Sequence, residues 1–179
     1  MKNFLITLII ILIPVKSFGL IEVDITRGNL NPLPIAVSPL SIDEESRKNF
    51  DNILKKKNIG SEISLIVENN LKVSGLFNPL NKDAFLQEPD IANLKPRFED
   101  WNLIKAQALI TGKVSYVEEK LRVEFRLWDV LAGKEMMALA FTTVPNNWRR
   151  VGHIITDKVY ERLTGEKLSL IHISEPTRR

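Results

Sequence analysis

Residues of the types that do chemistry are few in this chain, and they are scattered. His153 is the only histidine between residues 20 and 167, and the chain has no cysteine. The run Asp-Glu-Glu at residues 43–45 could in principle supply an acid and a base. Metal sites need clustered histidine, cysteine or carboxylate ligands, and the sequence has no such cluster. We therefore interpret His153 as structural and residues 43–45 as part of a solvated, charged face.

Two further segments match phosphate-binding patterns only in part. Thr-Gly-Lys at residues 111–113 lacks the rest of a phosphate loop, so Gly112 is interpreted as a strand glycine at a bulge or a close approach. Trp148, followed by Arg149 and Arg150, combines an aromatic ring with two cations, as stacking surfaces for nucleic acid do. We expect Trp148 in the core and the two arginines paired with carboxylates. The sequence thus predicts no enzyme, no cofactor and no metal.

The basic excess of the chain comes from its two ends. The chain has 25 lysines and arginines and 22 aspartates and glutamates. Four of these basic residues and one acidic residue lie in residues 1–19 and 168–179, so the remainder carries 21 of each sign. A net charge of zero over residues 20–167 gives no support for binding to nucleic acid or to an anionic membrane.

The start of the chain has the pattern of a secretory signal peptide over residues 1–19. Lys2 gives a positive beginning, residues 4–15 form an uncharged apolar run, and residues 17–19 end it with a small–x–small pair. The run is shorter than the roughly 20 apolar residues that a membrane span needs. We expect cleavage before Leu20 and export from the cytoplasm. An uncut segment that serves as an anchor is the alternative.

The last twelve residues, 168–179, do not continue the pattern of the rest. They resemble the translation of a transposase-type sequencing adapter, and we expect them to be foreign to the protein. A natural amphipathic tail is the alternative. With both ends set aside, residues 20–167 have the usual size of one domain.

The periodicity of apolar residues predicts a single-domain α/β fold. Its sheet is mixed, it contains a three-stranded antiparallel meander, and its helices pack on one face. The meander follows from three alternating stretches with short connections between them. The predicted elements are a strand at Leu33–Val37, a helical turn near Glu44–Leu54, a helix from Ser61 toward Gly75, a mostly loop segment at 76–95, a short helix at Phe98–Lys105, strands around 108–116, 121–127 and 137–141, and a helix from about Asn146 to Leu163.

Trp128 has no settled place in this pattern. It lies out of phase with Phe125 and Leu127 on the same predicted strand. A regular strand would therefore point it to the opposite face of the sheet. There it is either covered by another element or exposed as a contact surface.

The sequence predicts that the first residues after the signal peptide contact a partner protein. An extended end with alternating apolar residues can add a strand to the edge of a partner's sheet. An edge strand of this same domain is the alternative. We call this stretch the N-terminal segment, and it consists of Leu20, Ile21, Glu22, Val23, Asp24, Ile25, Thr26, Arg27 and Gly28.

Several separated stretches resemble the amino-terminal domain of the TolB family, and they occur in the family's order. Together they span nearly all of residues 20–167. They are residues 123–130, 147–153 and 160–167, residues 23–28 and 34–37 near the start, and Trp101 ahead of residues 106–112.

This resemblance implies a non-enzymatic periplasmic protein of the Tol–Pal envelope system. In the family, this α/β domain precedes a six-bladed β-propeller that binds the lipoprotein Pal. The mature N-terminus engages the inner-membrane protein TolA, and the system maintains the outer membrane and supports constriction at division. The resemblance thus implies that the N-terminal segment contacts a TolA-like protein, and that a Pal-like lipoprotein binds only where a propeller follows Lys167. A small-ligand-binding periplasmic module is the alternative function.

Overall fold

A mixed sheet of six strands organises the chain. The computed structural model describes residues 31–56 and 58–167. The strands are β1 (Leu33–Val37), β2 (Ser41–Ile42), β3 (Phe77–Pro79), β4 (Ala108–Val117), β5 (Lys120–Asp129) and β6 (Lys134–Thr143). Five of them lie in the order β3-β1-β4-β5-β6, and β2 pairs with β4 beyond the end of β1. The pairs of β1 with β3 and β4 are parallel, whereas β4, β5 and β6 form an antiparallel meander. The predicted α/β fold with a mixed sheet and this meander is confirmed.

Within the described residues, five helices connect and cover the strands. They are α1 (Glu44–Leu54), α2 (Ile59–Val73), α3 (Pro89–Leu94), α4 (Phe98–Leu103) and α5 (Trp148–Thr164). Short 3-10 turns lie at Lys82–Ala84 and Pro145–Asn147. None of the helices in the described part of the chain is long and apolar enough to cross a membrane.

The main core lies between one face of the sheet and the helices α1, α2 and α5. Alternate strand residues point into it because successive side chains of a strand face opposite sides. From the helices, Phe50, Ile63 and Ile155 enter the same core, each almost fully buried. The strand residues of this core include Ile35, Val37, Ile110, Val114, Val123, Phe125 and Leu127.

A second, smaller core covers part of the opposite face. Ala36 and Leu109 point to it from β1 and β4, and Ala92 of α3 and Trp101 of α4 pack on them. The prediction that helices pack on one face therefore holds for the three longer helices and omits these two short ones. α4 matches the short helix predicted at Phe98–Lys105, whereas α3 lies in the segment predicted as mostly loop, with Pro89 at its first position.

The start of α2 differs from its predicted position. The helix begins at Ile59 rather than after Ser61, with Asn58 at the N-cap. Ile59 is fully buried, and a Cβ on Gly60 would overlap the carbonyl of Leu40. Burial of Ile59 and the close approach at Gly60 thus start the helix three residues earlier than a cap at Ser61 would. Gly75, with φ of 74°, lies just past its end.

Candidate functional site

The attachment of the N-terminal segment to the sheet is well defined, although Leu20–Gly28 itself lies outside the described residues. Asn31 and Pro32 are exposed. Leu33 is buried, and its N–H donates to the carbonyl of Leu76 at 2.9 Å. The chain therefore passes from solvent into the sheet at residue 33.

The strand that carries this segment is held on both sides. The N–H of Gln107 donates to the carbonyl of Pro34 at 3.0 Å, and the N–H of Leu80 donates to the carbonyl of Ile35 at 2.9 Å. Both neighbours of β1, namely β3 and β4, run parallel to it. An N-terminal segment that formed an edge strand of this domain would thus have to pair with β3, with β6 or with the open side of the short β2.

His153 takes part in the contact between two helices. The side-chain N–H of Asn70 on α2 lies 2.9 Å from Nδ1 of His153 on α5. The same amide donates to Oγ1 of Thr156 at 3.3 Å. With its proton on Nε2, His153 accepts this hydrogen bond, and the three side chains join α2 to α5. This arrangement fits the predicted structural role.

Among the carboxylates at residues 43–45, Asp43 caps the start of α1. Oδ1 of Asp43 accepts the N–H of Ser46 at 2.8 Å, which is the geometry of an N-cap. This hydrogen bond, more than the nearby charge of Lys113, holds the pKa of Asp43 below its usual value. Nζ of Lys113 lies 3.6 Å from Oδ2 of Asp43, so the lysine of the Thr-Gly-Lys stretch pairs with a carboxylate. Gly112 next to it marks a close approach, since a Cβ there would lie 2.8 Å from Leu40 Cδ2.

Trp148 is a buried residue with two cations near its ring. It is 5% exposed, as expected for a core residue. The guanidinium carbon of Arg149 lies 4.3 Å from its ring centroid, and Nζ of Lys56 lies 5.2 Å away. Cations over an indole face are attracted to its π-electrons. Arg149 therefore stacks on this ring, an arrangement that differs from the carboxylate pairing expected from the sequence.

Trp128 is covered rather than presented to a partner. Its Nε1 donates to Oγ1 of Thr111 at 2.9 Å. Its ring meets that of Phe98 edge to face, with centroids 5.8 Å apart. The position of α4 therefore decides between the two alternatives that the strand pattern leaves open for this residue.

Within residues 31–56 and 58–167, no three histidines, cysteines or carboxylates come together as metal ligands would. One surface feature escaped the sequence analysis, namely a groove between β6 and the start of α5. Its signal in the sequence is the run from Met136 to Thr143, which has neither charge nor proline.

The fold and these contacts define a mixed α/β domain whose candidate catalytic residues mostly serve its own structure. The comparison with protein families identifies it further. The model of the TolB amino-terminal domain matches residues 21–136, and the chain belongs to this family.

Similar proteins agree with this assignment. The Tol–Pal system protein TolB of Pelagibacter ubique (strain HTCC1062) is 77% identical over 172 residues, which cover 94% of this chain and 39% of that protein. The chain thus spans well under half the length of this relative. The crystal structure of TolB from Acinetobacter baumannii superposes with a TM-score of 0.61 at 21% identity, over 77% of this chain and 30% of the other. That likeness concerns the fold.

Proposed function

We propose that this domain is a non-enzymatic, periplasmic protein-interaction module of the Tol–Pal system. Its N-terminal segment, Leu20–Gly28, contacts a TolA-like inner-membrane protein by adding a strand to that partner's sheet. Contact with a Pal-like lipoprotein belongs to a full-length protein with a propeller. In this role the domain supports outer-membrane integrity and constriction during division.

The observation that carries the proposal is membership of the TolB family together with the attachment of the N-terminal segment. Residues 31 and 32 are exposed, and β1 behind them is fixed between two strands. A segment attached in this way can bind a partner without changing the fold behind it. The alternation of Ile21, Val23 and Ile25 suits strand addition, in which backbone hydrogen bonds give affinity and alternate side chains give specificity.

Deletion of Leu20–Gly28 tests the contact. The shortened domain should keep its thermal unfolding transition and lose binding to the C-terminal domain of TolA, measured by isothermal titration calorimetry. A double variant, V23S with I25S, should weaken binding at least tenfold because it removes two of the alternating apolar side chains. Unchanged affinity in the deletion variant would overturn the proposal.

A matched control exists within the chain. Val73, at the end of α2, is 85% exposed and lies outside the N-terminal segment. The V73S variant removes the same kind of side chain from the surface and should bind TolA as the unaltered domain does. A loss of binding in V73S as large as that in the double variant would show that any new polar side chain on the surface weakens binding, and it would count against the segment.

Processing of the signal peptide tests the proposed location. Mass spectrometry of the protein purified from the periplasm should give a mature N-terminus at Leu20, within a few residues. Recovery of the intact chain, with Met1 retained in the membrane fraction, would support the uncut anchor instead.

A further inference from the structure

A groove of about 350 Å³ runs between the outer edge of β6 and the first half of α5. Its apolar lining includes the buried Val151 and the half-buried Phe141 and Ile154, and its polar lining includes Thr143, Asn147 and Arg150.

The wall of the groove on the sheet side is an edge strand. β6 is the last strand of the sheet and is ten residues long. Natural edge strands are usually short or guarded by charges and prolines, because their outward N–H and C=O groups can pair with another chain. In β6 the two charges stand at the beginning, at Lys134 and Glu135, and the remaining eight residues have neither charge nor proline. The carbonyl of Met136 accepts Nε–H of Arg162 at 3.3 Å, so the template for an added strand is residues 137–143.

The side chains of β6 leave room for such a strand. Leu139 and Phe141 point to the side of α5, because they pair with Phe125 and Val123 of the main core. Leu139 is still 37% exposed, since α5 does not cover the full width of the sheet. An added strand would place alternate apolar side chains against Leu139, Phe141 and Ile154.

Positive charge at the groove determines which kind of segment it binds. The first turn of α5 has no acidic residue and carries Arg149 and Arg150. The amino-terminal end of a helix adds a partial positive charge. Among the described residues that line the groove none is acidic. The groove therefore favours a segment with a carboxylate near Arg150.

We propose that this groove binds an extended segment of another protein, in which apolar and acidic residues alternate. The N-terminal segment of this same chain fits less well. Leu33 is three strand spacings, about 14 Å, to the side of β6, and it lies near the level of Lys134 at the opposite end of that strand. Only the far end of the N-terminal segment could reach residues 138–143.

A synthetic peptide provides the test. A fluorescein-labelled decapeptide of alternating valine and glutamate should bind the whole chain in a fluorescence anisotropy titration. In NMR spectra its addition should shift the backbone signals of residues 138–143 and 147–154. A decapeptide of alternating valine and lysine should bind at least tenfold more weakly.

Two variants locate the contact. R150E should weaken binding of the glutamate peptide at least tenfold, and I154S should weaken it about fivefold through the loss of apolar contact. K158E serves as the control, because Lys158 is exposed on the same helix and does not line the groove. It should stay within twofold, and thermal unfolding should show that all three variants fold.

Four outcomes would overturn the proposal. They are the absence of binding, equal affinity for the two peptides, signal shifts away from β6 and α5, and equal losses for R150E and K158E. Shifts of the β6 signals after deletion of Leu20–Gly28, without any peptide, would assign the groove to the chain's own segment. Concentration-dependent dimerisation that R150E abolishes would assign it to a second copy. The first of these results would favour the alternative that the N-terminal segment is an edge strand of this domain, and the deletion experiment tests the contact with TolA separately.

Discussion

Oγ of Ser64 on α2 accepts the backbone N–H of Leu40 at 3.0 Å, within the turn that joins β1 to β2. The same oxygen lies 3.0 Å from the carbonyl of Ser38, to which it can donate. Both Ser38 and Ser64 are buried. This hydroxyl thus satisfies the N–H of Leu40 and shares its one proton between the carbonyls of Ser38 and Gly60, which fixes α2 against the turn.

Replacement of Ser64 by alanine should lower the free energy of unfolding by about 1–3 kcal/mol, because it leaves the N–H of Leu40 buried without an acceptor. Urea denaturation measures the change. S61A is the control on the same helix. Ser61 is exposed and is not the N-cap, so its loss should cost less than about 0.5 kcal/mol. A loss of about 1 kcal/mol in S61A would instead restore it as the capping residue.

Gly60 should not tolerate alanine. Alanine in a helix interior is normally more stabilising than glycine by about 1 kcal/mol. Here a Cβ would overlap the backbone carbonyl of Leu40, which has no free rotation by which to avoid it. G60A should therefore lower stability, and by more than S64A in the same urea experiment. A more stable G60A would show that the turn at Leu40 moves easily.

Stability should depend on pH through Asp43. Its pKa is lowered by the hydrogen bond from Ser46, so the folded state favours the ionised form. The resulting stabilisation is complete above the ordinary carboxyl pKa of 3.8 and is lost as the pH falls through the lower pKa of the folded state. D43A should be less stable than the unaltered domain by about 0.5–2 kcal/mol at pH 7.

That difference should shrink at pH 3 and below, and urea denaturation at the two pH values measures it. D43N is the matched variant, because asparagine also caps helices but does not titrate. It should retain most of the stability at pH 7. A difference between D43A and the unaltered domain that stays constant with pH would refute the role of the ionised form.

Gln87 should stabilise the segment that covers the second core. Its Oε1 accepts the N–H of Arg97 at 2.9 Å and Nε1–H of Trp101 at 2.8 Å. Q87L leaves both donors without this acceptor and should lower stability by about 1–3 kcal/mol. Tryptophan fluorescence should show greater exposure of Trp101 to quenching by acrylamide. L86A, at a neighbouring residue that is 60% exposed, should change neither property.

The elements with strict alternation could be predicted from the sequence, and so could β1 with its Pro34, whereas the proline-containing β3 and α3 could not. The strands β4, β5 and β6 follow their period-2 patterns closely. β3 was missed because Asn78–Pro79 is a typical turn pair, yet proline is acceptable on an edge strand such as this one. The local sequence at Asn78–Pro79 predicts a turn, whereas pairing with the distant strand β1 makes this segment a strand.

The roles of single residues in the candidate site could be predicted from the sequence. The contacts that other elements make with them could not. The structural interpretation of His153 needed only the absence of a second ligand in the sequence. The contacts of Trp128 depend on α4, and the groove beside β6 depends on how far α5 reaches across the sheet. Neither follows from the residues of one element. The contact through Leu20–Gly28 remains a prediction.

The position of β1 has a mechanical consequence. Because β1 lies between two parallel neighbours, tension applied along its axis to the residues before Leu33 pulls it against both of them. The hydrogen bonds of β1 to β3 and β4 would then share the load in shear, and they would not open one after another from the end. A pull on this terminus therefore meets the resistance of the sheet's interior before any helix is disturbed.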